Sequence, residues 1–533
     1  MNRPNVLEAL SDNIKIDPEK CIQCGKCVDT CILDNLRMKL APCRQACPLG
    51  VNAQGYIQLI ARGEEDKARE VVRETLPFPE IISRICDAPC ERNCHRNAVT
   101  GQPVSIRSLK RYLFENDQRE QAVIPKKADP SGKRIAIVGS GPAGMLAAFD
   151  LAIAGHGVTI FESDPKPGGL LHSVIPAFRL PEAVLDREMD VLSILGVDLQ
   201  CGIRVGQDRA MDDLENSFDA VILSTGLGGQ LRLDVPGEDS KGVMQGLDFL
   251  EAAKHGNAEK LSGNIVVIGG GNAAVDTARV ARRLGAEKVT IISLEMRDDL
   301  PASEEELNRA LDDGVALECG MGIDRILEKS GKVSGVTLKR CLTVFDQNGC
   351  FLPSFDYDDT MTIPADRVIV SIGQSQDTLE GIFPDELPID SLTLQTARQK
   401  IFVAGDCFYG PTSVIHAMGS GRQAAVSVDR FLKGEHLKFN RAYAGPIVTD
   451  FEIDTSRGSD DDRVKPQLRP FKEPGNFNEV EQPFSIDEAR KEARRCYSCG
   501  GPFGQHRTCW FCLPCEVECP EEALWVEVPY LLR

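Results

Sequence analysis

The sequence predicts an α/β fold in which one parallel-sheet domain is inserted into another, with a small cysteine-rich domain at each end of the chain. Two glycine-rich turns, at residues 139–144 and 269–274, each follow a short apolar run. Apolar runs of this kind are typical of parallel strands that are buried on both faces. Nine cysteines lie before position 95 and six lie after position 495, which sets the cysteine-rich ends apart from the sheet-forming middle.

The first glycine-rich turn lies in the stretch RIAIVGSGPAG. Gly139, Gly141 and Gly144 fit the pattern Gly-x-Gly-x-x-Gly between a predicted strand and a predicted helix. In a dinucleotide-binding domain these glycines permit the tight turn, the approach of backbone amides to a pyrophosphate and the close packing of helix on strand. A second predicted strand ends in Glu162, where a ribose diol needs a hydrogen-bond acceptor. An ordinary glycine-rich turn of an α/β fold is the alternative.

The second glycine-rich turn lies in the stretch NIVVIGGGNAAVD. Gly269, Gly271 and Ala274 fit the pattern Gly-x-Gly-x-x-Ala, and an alanine in third place still permits close packing of the helix. The strand after this turn is followed by Glu295, a carboxylate that suits a free ribose diol. Two such turns, one nested in the other, are the arrangement of flavoprotein disulfide reductases. The sequence carries no redox-active cysteine pair near either turn, so electrons must leave by another route.

The composition limits the classes of function. The formal net charge of -19 argues against a nucleic-acid-binding protein, which needs a basic surface to neutralise phosphates. No apolar run approaches the roughly 18 residues of a membrane span, and the first residues lack the apolar core of a signal peptide. We therefore expect a cytoplasmic protein without a transmembrane segment. In that compartment its 20 cysteines are expected to be metal ligands or redox groups rather than disulfides.

The first cysteine motif has the spacing Cys-x2-Cys-x2-Cys-x3-Cys of a bacterial ferredoxin, except that isoleucine rather than proline follows the fourth cysteine. This spacing predicts a [4Fe-4S] cluster. Zinc is the alternative, although zinc usually takes two cysteine pairs that a longer loop separates. The four cysteines are Cys21, Cys24, Cys27 and Cys31. Five more follow around a stretch with helical periodicity, which predicts a short helical domain with an inorganic centre: Cys43, Cys47, Cys86, Cys90 and Cys94.

The carboxy-terminal cysteines begin with the pair Cys496 and Cys499. The remaining four have the full ferredoxin spacing with its proline: Cys509, Cys512, Cys515 and Cys519. In two-cluster ferredoxins the fourth cysteine binds the other cluster, and six cysteines cannot fill eight positions. We therefore expect one cluster here, and a second only if an outside or non-cysteine ligand completes it. The five cysteines in the middle of the chain are expected to be small buried apolar residues: Cys201, Cys319, Cys341, Cys350 and Cys407.

Several segments together resemble one known family. The segments ACP, GYIQLIARG and RICDAPCERNC, followed by GSGPAG, are similar to the small subunit of bacterial glutamate synthase and its relatives. Those relatives include the amino-terminal half of dihydropyrimidine dehydrogenase and the NADPH-binding subunits of electron-bifurcating transhydrogenases. The resemblance covers roughly residues 42–434. It implies that one [4Fe-4S] cluster is held by Cys47, Cys86, Cys90 and Cys94. A second cluster draws on the five other amino-terminal cysteines, and whether Cys31 or Cys43 is a ligand stays open.

The resemblance also implies nucleotide-binding residues. The segment at 175–181 lies along the flavin, Asp406 contacts the ribityl chain, and a helix at 411–425 points its positive end at the isoalloxazine. A helix cap is the alternative for Asp406. The expected FAD-binding residues are Gly139, Ser140, Gly141, Pro142, Ala143, Gly144, Glu162, Gly169, Leu170, Arg179, Gly405, Asp406, Ser413 and Val414. The expected NAD-binding residues are Gly269, Gly270, Gly271, Asn272, Ala273, Ala274, Glu295 and Arg297.

The end of the second strand in the inserted domain predicts the nucleotide. NADPH-using relatives carry paired arginines there, which clamp the 2′-phosphate. With the register fixed by Pro301, Leu294 and Glu295 occupy those two positions. Because the positive charges are lost and a carboxylate is gained, we expect NADH to be preferred over NADPH. Arg297 can still reach a phosphate, which counts against a preference for NADH. The alternative for Glu295 is a plain surface residue without a role in binding.

The expected fold is thus two nested Rossmann-like domains of the flavoprotein disulfide reductase type, with iron-sulfur domains before and after them. The expected segments are a ferredoxin-like segment at 1–40, a helical 4Fe-4S domain at 41–130, an FAD-binding domain at 131–228 and 365–436, an NAD(P)-binding domain at 229–364, a linker at 437–484 and a carboxy-terminal 4Fe-4S domain at 485–533.

The predicted function is that of an NAD(P)H:acceptor oxidoreductase with FAD and three or four [4Fe-4S] clusters. Hydride passes directly between nicotinamide and flavin, so we expect no acid-base catalytic residue. Cluster domains at both ends predict either two outlets or one inlet to a partner subunit, and the expected partner is ferredoxin or a redox subunit in a hetero-oligomeric complex. One alternative is a glutamate synthase small subunit, but the ferredoxin-like segments at both ends argue against it. The other is a non-catalytic electron-wiring subunit, but the intact second glycine-rich turn argues against that.

Overall fold

The computed structural model describes residues 14–32, 35–115, 117, 124–375, 388–441, 445–504, 509 and 512–527. Parts of the predicted amino-terminal segment and of the stretch after the helical domain lie outside the described residues: 1–13, 116 and 118–123. Among the described residues, no helix combines the length and the apolar character that crossing a membrane requires.

The amino-terminal region is mainly helical, as predicted. The helical stretch expected at 55–74 forms two helices, because Gly63 ends the first of them with a left-handed φ of 80°. The Tyr56 hydroxyl donates a hydrogen bond to the carbonyl oxygen of Ile106 at 3.0 Å, which ties the first long helix to the last. The elements are β1 (Ile14–Ile16), α1 (Lys26–Asp29), β2 (Leu36–Lys39), α2 (Pro42–Gln45), α3 (Ala53–Arg62), α4 (Glu65–Arg73), α5 (Pro79–Ile85), α6 (Pro89–Arg92), α7 (His95–Thr100) and α8 (Ile106–Glu115).

The first nucleotide-binding domain begins with alternating strands and helices. Its elements are β3 (Arg134–Val138), α9 (Pro142–Ile153), β4 (Gly157–Glu162), α10 (Leu170–Ser173), α11 (Glu182–Ile194), β5 (Asp198–Cys201), α12 (Met211–Ser217) and β6 (Ala220–Leu223). The inserted domain follows, with β7 (Gly229–Gln230), β8 (Val243–Gln245), α13 (Gly246–Lys254), β9 (Asn264–Ile268), α14 (Asn272–Arg283), β10 (Lys288–Ile292), α15 (Glu304–Asp312), β11 (Ala316–Glu318), β12 (Met321–Lys329), β13 (Lys332–Phe345), β14 (Phe351–Pro364), β15 (Arg367–Val370) and β16 (Gln374–Ser375).

The carboxy-terminal third completes the first domain and returns to the amino-terminal region. Its elements are β17 (Ile401–Val403), α16 (Asp406–Tyr409), α17 (Val414–Lys433), β18 (Ile447–Val448), α18 (Ile486–Ala493), β19 (Gly501–Gly504), α19 (Pro514–Val517) and β20 (Leu524–Val526). The last three strands pair with the first two: β18 and β19 flank β2, and β20 pairs with β1. The two ends of the chain are therefore parts of the same small sheets.

The first nucleotide-binding domain contains a parallel sheet in the order β17-β6-β3-β4-β5. Its outer strand β17 comes from beyond the inserted domain, which is the predicted nesting. A Cβ at Gly421 would lie 2.2 Å from the carbonyl oxygen of Ala143, so α17 packs directly on the first turn of α9. This packing brings the ends of both helices to one edge of the sheet.

The inserted domain contains a second parallel sheet, in the order β11-β10-β9-β15-β8. The sequence places the return to the first domain at 365, but β15 pairs with β9 and β8 in the second sheet. The first domain resumes only with β17. An apolar run has the same pattern in either buried parallel sheet, so the pattern alone does not identify the sheet to which a strand belongs.

A separate antiparallel sheet in the order β12-β13-β14 extends from the inserted domain. Cys350 lies in the turn between β13 and β14 and is exposed, so its predicted burial is wrong. Among the other four cysteines of the middle region, Cys407 is buried, and the remaining three are partly buried: Cys201, Cys319 and Cys341. A turn at the tip of a long hairpin has no neighbouring layer that would cover it.

The segment expected as a surface linker at 437–484 enters the interior near its end. Glu481 is buried, and its carboxylate accepts a hydrogen bond at 2.9 Å from Arg107 and a second from Arg309. Arg107 belongs to α8 and Arg309 to α15, so this carboxylate joins the helical region to the inserted domain. Paired guanidinium groups offset the cost of burying its charge.

Candidate functional site

The first glycine-rich turn has the predicted geometry. Gly139 has a φ of 99°, and a Cβ there would lie 2.4 Å from the carbonyl oxygen of Ser224. A Cβ at Gly144 would lie 2.1 Å from the carbonyl oxygen of Gly139. Both contacts are with backbone, so side chains at these positions would force the turn open. The Cβ position of Gly141 has no atom within 4 Å, which leaves this part of the backbone open to a ligand.

Glu162 ends β4 beside this turn and is only 5 % exposed. One carboxylate oxygen accepts hydrogen bonds from the Ser140 amide at 2.9 Å and from the Ser140 hydroxyl. The other accepts one from the Asp164 amide at 2.9 Å. The carboxylate is thus fixed at the carboxyl end of the sheet, where the ribose of a dinucleotide binds in this fold. The residues at this edge therefore fit FAD.

Two further predicted flavin segments pack on the same turn. A Cβ at Gly169 would lie 3.1 Å from the Cα of Gly141, so the backbone that leads into Leu170 lies close to the turn. Gly405 has a φ of 79°, and a Cβ there would lie 3.0 Å from the Cβ of Ala143. The structure therefore brings together segments that are separated by more than one hundred residues of inserted domain, as the nested arrangement predicts.

Asp406 and the start of α17 lie next to Gly405. One carboxylate oxygen of Asp406 accepts hydrogen bonds from the Thr412 hydroxyl at 2.6 Å and from the Thr412 amide at 3.2 Å. Burial raises the pKa of this carboxyl, and the two hydrogen bonds oppose that rise. Ser413 precedes α17 without capping it, since its hydroxyl is hydrogen-bonded to His416 Nδ1 at 2.8 Å. The positive end of this helix dipole, at Val414, therefore has no side-chain cap from Ser413.

Arg179 has a contact that the sequence did not predict. Its guanidinium donates a hydrogen bond to Asp276 at 2.6 Å and lies 3.7 Å from the carboxylate of Glu306. Asp276 lies on α14 and Glu306 on α15, so Arg179 forms an ion pair between the two nucleotide-binding domains. A motif predicts that an arginine is present but does not predict its acidic partner in another domain.

The second glycine-rich turn lies at the carboxyl end of β9. Gly269 has a φ of 139°, and a Cβ there would lie 2.1 Å from the carbonyl oxygen of Ser371. The Cβ position of Gly271 is open, as it is for Gly141 in the first turn. Ala274 is fully buried on α14, which agrees with the close helix packing expected of the third position. The residues of this turn fit a second dinucleotide.

Glu295 lies against this turn. A Cβ at Gly270 would lie 2.7 Å from a carboxylate oxygen of Glu295, and the Ser293 hydroxyl donates a hydrogen bond to the same oxygen. Arg297 is directed elsewhere, because its guanidinium donates a hydrogen bond to the side-chain oxygen of Asn308 at 3.1 Å. The carboxylate, and not the guanidinium, is therefore the charged group next to the glycines.

The fifteen cysteines at the two ends of the chain fall into four groups, each of which we name after its first member. The Cys21 group lines one cavity and consists of Cys21, Cys24, Cys27 and Cys519. The Cys31 group lines a second cavity and consists of Cys31, Cys509, Cys512 and Cys515. Both of these groups combine cysteines from the two ends of the chain, whereas the sequence predicts a separate domain at each end.

The Cys43 group also combines both ends and consists of Cys43, Cys94, Cys496 and Cys499. Burial raises the pKa of the Cys43 thiol well above its usual value, and the neighbouring thiols Cys496 and Cys94 raise it further. Burial also raises the pKa of Cys496 to about 12, with a contribution from Cys94. The guanidinium of Arg96 donates a hydrogen bond to the carbonyl oxygen of Arg495 at 2.8 Å, which holds the two segments together.

The Cys47 group has three thiols: Cys47, Cys86 and Cys90. Burial raises the pKa of Cys86 to about 11, and the charge of Lys110 opposes that rise. Lys110 is only 5 % exposed, and within the part of the chain that the structure describes its ammonium has no hydrogen bond and no carboxylate partner. The resemblance implied Cys94 as the fourth ligand here. Cys94 instead contributes to the raised pKa values of Cys43, Cys496 and Cys499, which places it with the Cys43 group.

Three of these cysteines share a strained local turn that sequence inspection missed. The residue two positions after each has a left-handed φ, and its amide donates a hydrogen bond to the cysteine sulfur at 3.4 Å. The residues are Gln23 after Cys21 (φ 55°), Ala88 after Cys86 (φ 51°) and Ser498 after Cys496 (φ 54°). Left-handed backbone is costly for non-glycine residues and concentrates at functional sites. Amide donors to sulfur are among the features that adjust the potentials of iron-sulfur clusters.

The spacing of the thiols distinguishes between the two candidate metals. Among the described residues, no three cysteine sulfurs lie within 4.8 Å of one another. Zinc–sulfur bonds of about 2.3 Å would bring four thiolates to within about 4 Å of each other. A [4Fe-4S] cube holds its thiolates farther apart, because each binds a different iron. The described thiols therefore lack the close spacing that a single zinc ion requires.

Comparison with protein families agrees with this geometry. Residues 133–421 match the family described as "Pyridine nucleotide-disulphide oxidoreductase". Residues 5–122 match the family described as "Dihydropyrimidine dehydrogenase domain II, 4Fe-4S cluster". The first match covers both glycine-rich turns, and the second covers all nine amino-terminal cysteines.

Three curated relatives illustrate the range of similar proteins. The "NADP(+)-dependent formate dehydrogenase subunit beta" of Moorella thermoacetica is 32 % identical, over 86 % of this chain and 70 % of its own length. The "NADPH-Fe(3+) oxidoreductase subunit beta" of Geobacter sulfurreducens is 31 % identical, over 86 % and 75 %. The "NAD-dependent dihydropyrimidine dehydrogenase subunit PreT" of Escherichia coli is 30 % identical, over 74 % and 92 %.

Among solved structures, the fold is similar to that of FprA from Mycobacterium tuberculosis. Its His57Gln mutant matches with a TM-score of 0.51 and 21 % identity, over 57 % of this chain and 85 % of the other. This likeness confirms the nested nucleotide-binding fold that the sequence predicts. The chain belongs to the pyridine nucleotide-disulphide oxidoreductase family and carries in addition a 4Fe-4S domain of the dihydropyrimidine dehydrogenase type.

Proposed function

We propose that this chain is the NADH-oxidising electron-transfer subunit of a larger complex and that it holds one FAD and four [4Fe-4S] clusters, of which the one at Cys47 takes its fourth ligand from a group other than cysteine. The observation that carries the proposal is the order of the sites. The two nucleotide turns lie in adjoining domains, and the four cysteine groups follow one another from the flavin-binding domain to the surface. We expect the complex in the cytoplasm, where thiol ligands stay reduced.

The Cys47 group comes first in this order. A Cβ at Gly419 in α17 would lie 2.8 Å from the Cβ of Pro48, the residue after Cys47. Arg422 of the same helix donates a hydrogen bond to the carbonyl oxygen of Thr75 at 2.7 Å. Because α17 starts beside Asp406, this one helix leads from the expected flavin site to the Cys47 group. Its packing supports a direct connection between the two.

The other three groups follow. The thiol of Cys90 contributes to the raised pKa of Cys43, so the Cys47 and Cys43 groups adjoin. The Gln23 side chain donates hydrogen bonds to Ser498, which connects the Cys43 group to the Cys21 group. The thiol of Cys515 contributes to the raised pKa of Cys27, so the Cys21 group adjoins the Cys31 group.

The Cys31 group lies at the surface and is the expected outlet. Cys512 is exposed, and Ile32, next to Cys31, is 74 % exposed. Since both chain ends meet here, the proposal has one outlet, whereas the sequence predicts either two outlets or one inlet. A one-electron partner, either ferredoxin or a redox subunit of the complex, would dock at this surface.

For this reaction the protein has to bind FAD and the nicotinamide nucleotide and orient them. FAD, when bound, accepts a hydride from a nicotinamide and passes the electrons on singly. Glu162 would hold its ribose, and the uncapped start of α17 would favour the negative charge of the reduced ring. In this hydride transfer no side chain has to transfer a proton.

The preference for NADH rests on Glu295. The names of the relatives include NAD, NADP(+) and NADPH, so these names do not decide the nucleotide. A carboxylate next to the glycines accepts hydrogen bonds from a free ribose diol and repels a phosphate. Arg297, the remaining candidate for binding a phosphate, is hydrogen-bonded to Asn308.

Rapid mixing under anaerobic conditions tests the proposal. Mixing the reconstituted protein with NADH should bleach the flavin absorbance and then produce the electron paramagnetic resonance signals of reduced clusters. Reduction with dithionite is the control that all cofactors are present. Loss of flavin absorbance with dithionite but with neither nicotinamide would contradict an NAD(P)H oxidoreductase and would favour the wiring alternative.

A further inference from the structure

The first and last described strands of the chain pair with each other. Strand β1 is antiparallel to β20, with Ile14 opposite Val526 and Ile16 opposite Leu524. The pairing continues beyond the strands, where the amide of Asp17 donates a hydrogen bond to the carbonyl oxygen of Ala523 at 2.7 Å. Two segments separated by almost the entire sequence thus form one small sheet.

The two segments also share a hydrophobic core. This core is separate from the cores of the nucleotide-binding domains, and residues of both segments contribute to it. Its buried members are Cys27, Val28, Leu36, Met38, Cys515, Leu524 and Val526. Neither segment has enough apolar residues to bury a core alone, so we expect neither to fold without the other.

The two segments are built alike around their cysteines. Both have the spacing Cys-x2-Cys-x2-Cys-x3-Cys, at 21–31 and at 509–519. In both, a short helix carries the third cysteine, and a left-handed residue precedes that helix. The left-handed residue is Gly25 (φ 92°) before α1 and Leu513 (φ 68°) before α19. The same local structure occurs at both ends, as in two halves of a repeated unit.

The fourth cysteine of each segment lies with the first three of the other. Cys519 lines the cavity of Cys21, Cys24 and Cys27, and the amide of Ala523 donates a hydrogen bond to its sulfur at 3.3 Å. Cys31 lines the cavity of the carboxy-terminal trio, which consists of Cys509, Cys512 and Cys515. The amide of Asn35 donates a hydrogen bond to the sulfur of Cys31 at 3.3 Å.

We propose that the two ends of this chain form a single two-cluster unit of the ferredoxin kind, in which each end supplies the fourth ligand of the other end's cluster. Cys519 completes the cluster of Cys21, Cys24 and Cys27, and Cys31 completes the other. Each cysteine loses its proton when it binds iron. The unit forms only after the domains between its halves have been synthesised, and its clusters fasten the two ends together.

This inference deepens the proposed function and rests on it for the nature of the clusters, but its test does not involve a nicotinamide. Two double variants of the full chain distinguish exchanged from separate ligand sets. With exchange, Cys21→Ser with Cys519→Ser damages one cluster, and Cys515→Ser with Cys519→Ser damages two. Each cube contains four irons, so the expected losses are about four and about eight irons per chain. Separate sets would give the reverse, about eight and about four, and would overturn the proposal.

A measurement on single variants keeps the proposal testable if a double variant does not fold. In Cys519→Ser, exchange releases Cys21, Cys24 and Cys27 to anaerobic alkylation, while Cys509, Cys512 and Cys515 remain protected. Protection of the first trio and labelling of the second would contradict the exchange. Cys350→Ser, in an exposed turn away from all four groups, is the matched control and should keep all its iron. A normal iron pattern with a flavin that no nicotinamide reduces would contradict the proposed function alone.

Discussion

The side chain of Gln23 bridges to Ser498 across a separation of 475 positions in the sequence. Its amide nitrogen donates hydrogen bonds to the Ser498 hydroxyl at 2.9 Å and to the Ser498 carbonyl oxygen at 3.0 Å. Both residues are buried, and both are the left-handed residue of a cysteine turn. This bridge therefore connects the Cys21 group to the Cys43 group and ties the amino-terminal segment to the carboxy-terminal one.

We expect Gln23→Ala to destabilise the protein by about 1–3 kcal/mol, because it leaves buried acceptors without a donor. Anaerobic denaturant unfolding of the reconstituted protein measures this, with Gln207→Ala at an exposed site as the control. If the bridge also fixes the distance between the Cys21 and Cys43 groups, NADH should reduce the clusters of the Cys21 and Cys31 groups more slowly in this variant. The rate of flavin bleaching should be unchanged. Equal stability of the two variants would contradict the role of the bridge.

Local patterns predicted the nucleotide-binding fold well. The glycine-rich turns at Gly139 and Gly269 and the acids at Glu162 and Glu295 lie within one strand-turn-helix-strand unit each. Their geometry is therefore determined by neighbouring residues, and the structure agrees with the predicted turns. The sheet membership of β15 was not predictable in the same way, because the choice between two buried parallel sheets depends on contacts that are distant in sequence.

The grouping of the cysteines could not be predicted from local patterns either, because it also depends on contacts that are distant in sequence. Spacing predicts that these cysteines are cluster ligands, but it does not predict which other cysteines lie beside Cys94 or Cys519. A second carboxy-terminal cluster needs an outside or non-cysteine ligand, yet nothing in the spacing points to Cys31. The pairing of β1 with β20 brings the two cysteine segments together, and strands of three residues carry too little pattern to be recognised alone.

Glu188 is expected to make the stability of the protein depend on pH. It is buried on α11, and its carboxylate accepts hydrogen bonds from the amides of Glu80 and Ile81, both at 2.8 Å, at the start of the helix that leads to Cys86. Burial, and then the nearby Glu80 carboxylate, raise the pKa of Glu188 to about 8, against the opposing effect of the two amide donors.

Because this pKa is raised on folding, the folded state keeps a proton that the unfolded chain has lost between about pH 4.5 and pH 8. Stability should therefore fall as the pH rises through that window, by at most about 1.4 kcal/mol per pH unit. Unfolding free energies measured from pH 5 to pH 8 should show the slope in the wild type and less of it in Glu188→Gln. Asp190→Asn, exposed on the same helix, is the control and should keep the slope.

Lys110 should set the potential of one cluster. Its ammonium is buried beside the thiols of Cys86 and Cys90, and the described part of the chain gives it no carboxylate partner. A positive charge there stabilises the more negative, reduced form of a cluster. Lys110→Met should therefore lower one midpoint potential, by roughly 1–3 kcal/mol or about 40–130 mV for one electron. A redox titration followed by electron paramagnetic resonance measures the shift.

Lys110→Arg keeps the charge and should keep the potential near its original value, which distinguishes electrostatics from packing. If Lys110→Met lost the cluster outright, the arginine variant would still report whether charge is the requirement. Unchanged potentials in both variants would show that the ammonium does not act on the Cys47 group.

The choice of nucleotide depends on the charge next to the second glycine turn. Glu295 faces Gly270, while Arg297 is hydrogen-bonded to Asn308. NADPH lacks two charge-assisted contacts here and meets one repulsion, which should cost roughly 2–4 kcal/mol, or about a hundredfold in kcat/KM relative to NADH.

Replacing Leu294 and Glu295 together by arginine should reduce or reverse that preference. Steady-state reduction of an artificial dye with each nucleotide gives the ratio. Asp298→Asn, an exposed neighbour, should leave the ratio unchanged, and equal use of both nucleotides by the wild type would refute the role given to Glu295.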